Sequence, residues 1–450
     1  MNLILALSLA SAAAAFVIPN EETISKWPER VPSLPTWEVD KYTTEAEGVS
    51  RKLSHEVSYG LDIASNIHSL RDHSVVDSLE FGGDKRSGNE YFKSFHRIRV
   101  GSGHGERNRT IYELIAENEH STEFAKLVSK FDDVVDYLNS TSADYTVFVP
   151  ANRAFEKFKH APTPSDEYLK KLISYHVSPV FSPVRTVFLS RTIPTLLKEK
   201  ELGSNPARIS TQFGLHGLTI NFYAHIIKAD IFATNGVIHA IDELLLPPFP
   251  AADILNFLSS DLSTLELGLT KTGLFERIND TSNHAGGTLF APTNLAFKKL
   301  GPKVNGFLFS RWGQKYLKAL LKYHIVANHT LYSDAYYGPK DDKERSTQLT
   351  HVDLPTLLHN HHLSVDIAHF HRLVSMKING FTRVSTSDVI AKDGTIHILH
   401  DVLIPPKRPG STNSEESQHL TVEEIIERLE DYMDDSESIN NDQVSGRTEL

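Results

Sequence analysis

The 450-residue sequence contains no cysteine, and this absence excludes two kinds of chemistry. No disulfide can brace the fold, and no thiolate can serve as a catalytic nucleophile. Stability must therefore come from buried apolar surface. A domain of about 150 residues hides roughly 70% of its extended-chain surface, so the chain is long enough for two or three self-sufficient domains.

Long apolar runs are missing beyond the first residues, so we expect no transmembrane segment in the mature chain. Residues 3–9 are apolar apart from Ser8, and small residues follow with an Ala-x-Ala pattern that ends at Ala15. This order predicts a secretory signal peptide over residues 1–15. A membrane anchor or a buried N-terminal helix is the alternative, but the run is too short to span a bilayer.

Positive charge is scarcer than negative charge, and the net charge is −11. Residues 411–450 hold twelve acidic and two basic residues, so the excess lies in an acidic tail and the rest is nearly neutral. This balance argues against a protein that binds nucleic acid or anionic membranes. The Gly-x-Ser-x-Gly and His-Glu-x-x-His signatures of common hydrolases are absent from the sequence.

Three stretches of the sequence occur twice, in the same order. TVFVPANRAF, LKKLISYHV and ATNGVIHAIDELLLPP return as TLFAPTNLAF, LKALLKYHI and AKDGTIHILHDVLIPP. Their spacing of about 150 residues is that of tandem domains and is too large for a solenoid repeat. We therefore expect one domain at 109–248 and a second at 250–406, after a segment or linker at 16–108 and before a tail at 407–450.

Each repeated stretch predicts local structure. The first is a β-rich run that a proline ends, and Asn152 and Asn294 are then predicted to cap the following helix. The second has the apolar spacing of an amphipathic helix. The third begins with Asn235-Gly236 or Asp393-Gly394, which favour a tight hairpin, and continues as a strand.

His176 and His324 fall at matching places on the apolar side of the second repeated stretch. Each is interpreted as a core histidine whose ring bonds to the backbone, with a catalytic base or metal ligand as the alternative. No second group of suitable chemistry is repeated beside them, which favours the structural role.

His239 and His397 match each other in the third stretch, as do Asp242 and Asp401. Residues three apart on a strand point to opposite faces, so a His–Asp acid–base pair is not expected there. We expect local structural contacts instead.

The three repeated stretches together resemble the fasciclin family of secreted and cell-surface adhesion proteins. The resemblance covers residues 109–406 and implies an α+β fold with two tandem domains, each a wedge of mixed strands flanked by helices. It implies adhesion or binding to protein or glycan partners in the secretory pathway, at a cell wall or matrix, or in a vacuole. It implies neither catalysis nor a cofactor. The family's receptor-binding positions correspond to Tyr175, His176, Asp230 and Ile231, and to Tyr323, His324 and Asp388.

The second copy departs from the family pattern at two places. It has Val389 after Asp388, where the first copy has an Asp-Ile pair, and Asp393 where the first copy has Asn. Receptor binding is therefore less expected for the second copy.

Several features lie outside the repeated stretches. Lys85-Arg86, in a glycine-rich and charged segment, is either a processing site of a propeptide or part of a solvated linker. Residues 421–433 have the pattern of a capped amphipathic helix, which we expect to dock on its own domain rather than on a partner. Four Asn-x-Ser/Thr sequons predict N-glycosylation at Asn108, Asn139, Asn279 and Asn328.

A histidine-rich segment is the basis of the alternative function, a metal-binding luminal enzyme. Its members are His359, His361, His362, His369 and His371. Imidazole groups bind zinc or copper, and His369 and His371 could share a strand face. The first copy has no such cluster, and no carboxylate spacing of a known metal site accompanies it. We therefore expect a histidine-rich surface strand and loop, and no metal.

Overall fold

The structure is a computed structural model, and it describes residues 99–100, 108–159, 164–214, 217–282, 285–338, 351–359, 361–370, 372–406 and 420–430. The expected signal peptide, most of the segment 16–108 with Lys85-Arg86, His371 and most of the acidic tail lie outside these residues. The expected α+β class with two tandem units is confirmed, because the described residues form two mixed sheets of the same topology.

The first half is built around one mixed sheet. Its strands run in the order β3-β2-β8-β7-β6-β5-β4, and β1 pairs with β7 alone. The β2–β8 and β1–β7 pairs are parallel and the others antiparallel. The strands are β1 (Arg99–Val100), β2 (Tyr145–Pro150), β3 (Val177–Ser178), β4 (Thr192–Lys198), β5 (Pro206–Gly214), β6 (Gly217–Ile220), β7 (Ala224–Ala233) and β8 (Gly236–Ile241).

The helices of the first half pack against this sheet. They are α1 (Ile111–Glu117), α2 (Thr122–Val128), α3 (Asp132–Asn139), α4 (Asp166–His176) and α5 (Val184–Leu189), with 3-10 turns at Asn152–Phe158 and Lys200–Leu202. Thr110 begins α1 with a reciprocal capping box to Glu113. Buried side chains of α1, α2 and α3 and of α4 meet residues of β2 and β8 in one apolar cluster.

The second half repeats the sheet order as β10-β9-β17-β16-β15-β14-β13. These strands are β9 (Gly287–Pro292), β10 (Ile325–Ala327), β13 (His351–Pro355), β14 (His362–Phe370), β15 (Leu373–Ile378), β16 (Thr382–Ala391) and β17 (Gly394–Leu399), with β11 (Thr330–Leu331) and β12 (Tyr336–Tyr337) as a separate pair. Its helices are α6 (Ala251–Phe257), α7 (Ser259–Thr272), α8 (Leu274–Asn279), α9 (Asn294–Lys299), α10 (Pro302–Leu308), α11 (Gln314–Lys322) and α12 (Val422–Leu429).

The hairpins at the ends of β7 and β16 confirm the predicted turns. Gly236 and Gly394 are the first residues of the returning strands and pair with Ala233 and Ala391. A Cβ atom on Gly236 would lie 2.0 Å from the carbonyl oxygen of Tyr145, and one on Gly394 2.2 Å from that of Gly287. Glycine is therefore required where the parallel strand β2 or β9 passes the turn.

The two halves touch through polar contacts that are not repeated within either half. The carboxylate of Asp334 accepts hydrogen bonds from the backbone N–H groups of Arg191 (3.0 Å) and Thr192 (2.8 Å). Arg372 donates to the carbonyl oxygen of Thr211 at 3.0 Å, and Lys392 donates to Glu201 at 2.8 Å. These bonds join the two sheets by side chains that lie outside the repeated stretches or differ between them.

Helix α12 confirms the expected docking on its own chain. Thr421 caps it by accepting from the N–H of Glu424 at 3.2 Å. Ile425 and Leu429 are buried in the apolar cluster of the second half, and Arg428 donates to the carbonyl oxygen of Pro405 at 3.3 Å. The first half has no corresponding helix among the described residues.

Candidate functional site

The repeated histidines His176 and His324 are fully buried, and both of their ring nitrogens are engaged. In each ring Nδ1 donates to the carbonyl oxygen four residues earlier, Leu172 at 2.8 Å or Leu320 at 2.9 Å. Nε2 accepts from a backbone N–H after the last strand, that of Leu245 at 3.0 Å and Leu403 at 2.9 Å. The backbone N–H groups that donate to Nε2 fix the tautomer with the proton on Nδ1. Each ring is therefore a neutral link between a helix end and the chain that leaves the sheet.

Burial lowers the pKa of both imidazoles to about 4. Desolvation disfavours the cation, and the bond to the helix carbonyl offsets it only in part. The expectation of a core histidine bonded to the backbone agrees with this geometry. A ring whose two nitrogens are saturated cannot take up a proton from a substrate without breaking the fold locally.

His239 and His397 are buried in the opposite tautomer. Nε2 of His239 donates to the carbonyl oxygen of Ser182 at 2.8 Å, and its Nδ1 accepts from the N–H of Asp230 at 3.3 Å. His397 repeats these bonds with Leu331 at 2.6 Å and Asp388 at 3.3 Å. Burial lowers the pKa of both rings. The expected local structural role of this pair is confirmed.

The strand geometry predicted that Asp242 would not pair with His239, and the structure agrees with that prediction. Its carboxylate accepts from the N–H of His225 at 2.7 Å, and it lies 3.8 Å from the guanidinium of Arg153. Asp401 instead binds the ammonium group of Lys299 at 2.7 Å.

Asp230 and Asp388 lie at an irregularity that recurs in β7 and β16. Both have positive φ angles, 56° and 64°. The Asp230 carboxylate accepts from the N–H of Val184 at 2.7 Å. That of Asp388 accepts from the N–H and hydroxyl of Ser333 at 2.7 and 2.5 Å. Each aspartate thus ties the bulge to the chain that follows β3 or β11.

Tyr175 and Tyr323 are buried beside the histidines and are also matched. The hydroxyl of Tyr175 donates to the carbonyl oxygen of Arg208 and accepts from the amide of Asn221, both at 2.9 Å. Tyr323 accepts from the amide of Asn379 at 2.9 Å. The two asparagines have positive φ angles at the turns before β7 and β16. Sequence reasoning missed them, although both follow an Ile at the end of a strand.

The predicted receptor-binding positions are thus mostly inaccessible in the folded chain. Tyr175, His176, Tyr323, His324 and Asp388 are buried, whereas Asp230 and Ile231 are half-buried. Only the last two could touch a partner without opening the core. A direct binding role for the seven residues stays a prediction.

The prediction that Asn152 and Asn294 cap helices is wrong. Thr293 caps α9, and no side chain caps the 3-10 turn that begins at Asn152. The Asn152 amide instead accepts from the N–H of Glu123 at 3.0 Å and donates to the carbonyl oxygen of Glu119 at 2.8 Å. Asn294 makes the equivalent bonds to the α6–α7 region. The asparagines therefore bind a neighbouring helix rather than their own, since the amide oxygens accept from N–H groups of Glu123 near the start of α2 and of Thr264 within α7.

The histidine-rich segment lies on the surface of the second half. His359, His362 and His369 are exposed, and His361 is half-buried against the ring of Tyr323. No group of three histidine, aspartate or glutamate side chains within the described residues is arranged to hold a metal ion. The expectation that His369 and His371 share a strand face stays a prediction, because His371 lies outside the described residues.

The four sequon asparagines are exposed, as a glycan requires. Asn139 and Asn328 also accept hydrogen bonds, from the Thr110 hydroxyl at 2.7 Å and the N–H of Ala285 at 3.1 Å. Glycosylation itself stays a prediction.

An open groove of about 660 Å³ lies in the first half, between the α1–α2 turn and the sheet. Its floor is apolar, with Ile115, Val149, Ile227, Ile231 and Ile238 among the lining residues. No repeated stretch signals this groove.

The rim of the groove is charged, with more cations than anions. Arg109, Arg153 and Lys228 line it together with Glu117 and His120. Arg109 is paired with Glu117. Lys228 is exposed and makes no ion pair within the described parts of the chain. The groove thus combines an apolar interior with a cationic mouth.

Comparison with known protein families gives a match to the fasciclin domain at residues 119–247 and again at 260–405. The chain is 32% identical over 358 residues to the aurofusarin biosynthesis cluster protein S of Gibberella zeae, covering 73% of this chain and 88% of that protein. It is 27% identical over 299 residues to human periostin, covering 63% of this chain but only 31% of periostin.

Among solved structures, a fasciclin domain pair from the insect cell adhesion molecule fasciclin I is similar. The identity is 20%, the match covers 64% of this chain and 98% of that one, and the TM-score is 0.32. None of the helices within the described residues is long and apolar enough to cross a membrane.

Proposed function

The chain belongs to the fasciclin domain family, whose domains are generally non-catalytic adhesion domains, and from that premise we propose that it is a secretory-pathway binding protein. It acts in adhesion or in organising a cell wall, a matrix or a vacuolar lumen. Its partners are proteins or glycans that contact the outer surface of the paired domains.

The observation that carries this proposal is the hydrogen bonding of the four repeated histidines. Each ring nitrogen of His176, His239, His324 and His397 bonds to the backbone, and burial keeps the rings neutral. These four side chains, which would suit acid–base chemistry, hold the fold instead. The name of the Gibberella relative assigns that protein to a biosynthesis cluster and specifies no catalysis.

A secretory location is supported by the exposure of all four sequon asparagines. An internally tagged full chain should show a stepwise mass decrease on endoglycosidase treatment and protection from protease added outside the vesicles. A chain without glycans, accessible from the cytosol, would contradict the location.

Binding is tested by coating a surface with the full glycosylated chain and measuring the force that detaches cells or isolated wall fragments. We expect retention above that of an inert secreted glycoprotein of equal charge. Retention should survive Lys198→Gln, an exposed change, because one surface charge contributes little. Detachment forces equal to those of the inert protein would contradict an adhesive role.

A further inference from the structure

The groove of the first half differs in chemistry from the same place in the second half. We propose that it binds a small amphiphilic anion, with an elongated apolar body and one carboxylate or similar group. This inference goes beyond the adhesive function and does not depend on it, since its test uses soluble small molecules and neither cells nor wall fragments.

The interior of the groove suits an apolar body. At about 660 Å³ it has the size of small-molecule sites, which range over roughly 300–1,000 Å³ and are mostly apolar. Ile227 is 37% exposed although it lines a concavity. Covering such apolar surface is favourable by about 25 cal/mol per Å².

The two halves differ at a pair of positions that lie beside the groove. Ala240 faces Val149 across the parallel strands β8 and β2. At the matching register of β17 and β9, Ile398 faces Ala291 and is fully buried. The second half thus has a buried isoleucine at the position where the first half has the groove-lining Ala240.

The junction between the first two helices also differs between the halves. In the second half a single residue, Leu258, separates α6 from α7, and it is fully buried. In the first half four residues separate α1 from α2, and Asn118 and His120 among them are exposed and line the groove. The open helix junction forms the mouth.

The mouth carries two positive charges that have no counterpart at the matching positions of the second half. Arg153 corresponds to Leu295 in the first repeated stretch, and Lys228 corresponds to Thr386 by strand register. Arg153 lies 3.8 Å from Asp242, so it is weakly paired, and Lys228 projects from β7 with no ion pair among the described residues. A ligand carboxylate at the mouth would gain a charge-assisted contact from Lys228 while its chain covers the isoleucines.

The first test compares dodecanoate with dodecanol, which have the same chain and differ in charge. Calorimetry with the full chain should show one site per molecule and about tenfold tighter binding of the carboxylate, as one charge-assisted contact provides. Lys228→Gln should bring the two affinities within about twofold and leave dodecanol unchanged. The matched control Lys198→Gln, an exposed strand lysine outside the groove, should change neither.

The second test fills the groove with the residue that the second half uses. Ala240→Ile should abolish the binding of both probes, and thermal unfolding should show that the variant folds. Should it not fold, Ile227→Glu, at a partly exposed apolar residue of the lining, replaces it and should abolish dodecanoate binding. Phe370→Ser removes an exposed aromatic ring elsewhere and should have no effect.

Binding that persists in the folded groove variants overturns the proposal, as does binding that Phe370→Ser removes. Equal affinities for dodecanoate and dodecanol in the unmodified chain would also overturn it. Each of these results leaves adhesion untouched, because the detachment assay uses neither probe.

Discussion

In the first half the buried apolar side chains form two clusters, whereas in the second half they form one cluster that also includes helix α12. The sheet order and the bulges are the same in both. The buried histidines, the aspartates at the bulges and the glycines at the turns also occupy matching positions in the two halves. The two halves therefore share their polar contacts to the backbone, whereas the arrangement of their buried apolar side chains differs.

The largest expected effect comes from the turn glycines, which both halves require. Gly236→Ala and Gly394→Ala should each lower the unfolding free energy of their own half by more than about 4 kcal/mol, because the new methyl group meets the backbone of the neighbouring strand. Thermal unfolding with hydrogen exchange assigns the loss to a half. The control Gly306→Ala, with no atom near the added carbon, should be neutral or stabilising. A mild effect at either turn would break the equivalence.

The histidines at the helix ends should come next. His176→Ala and His324→Ala each leave a buried backbone N–H unpaired, that of Leu245 or Leu403, so each should cost about 1–3 kcal/mol. The two losses, measured by denaturant unfolding, should agree within about 1 kcal/mol. The exposed control His362→Ala should be nearly silent. Unequal losses would show that only one half uses its histidine as a link.

Acid should weaken both halves through the same residues. The folded pKa of about 4 lies below the unfolded value of about 6.5, so the unfolded state binds more protons between these values. Stability is therefore full above pH 6.5 and falls as the pH drops toward 4, by about 2 kcal/mol per helix-end histidine at pH 5. Melting scans from pH 7.5 to 4.5 check this, and His176→Gln should flatten the slope of the first half only.

The smallest effect sharpens the asymmetry of the halves. Ile425→Val trims a fully buried side chain of α12 and should cost about 1 kcal/mol. Hydrogen exchange should rise in α10 and α11, which α12 contacts, and stay unchanged in the first half. The matched change Ile426→Val, at a half-buried position one residue on, should have a smaller effect. Equal effects would contradict the docking geometry.

Sequence reasoning could reach the parts of the structure that are repeated. The doubled stretches predicted the two domains, the turns and the helix-end histidines because the same residues meet the same backbone twice. It failed for Asn152 and Asn294, since the amide that could cap its own helix finds a partner in a neighbouring one. Only the three-dimensional register brings Asp230 and His239 together.

The groove and the contact between the halves could not be predicted in this way. The groove is lined by residues from several separate segments, among them Ala240, whose difference from Ile398 means nothing until the strands are placed opposite β2 and β9. The contacts of Asp334 and Arg372 join residues about 140 to 180 positions apart that have no repeated counterpart. Side chains without a repeated counterpart leave no pattern that a single sequence can reveal.

The central claim, that matched neutral histidines link the backbone in both halves, is tested most directly by nitrogen NMR of the imidazole rings in the full chain. We predict that His176 and His324 carry their proton on Nδ1, that His239 and His397 carry it on Nε2, and that all four stay neutral at pH 6. Protonated rings at that pH, or matched residues in different tautomers, would contradict the account.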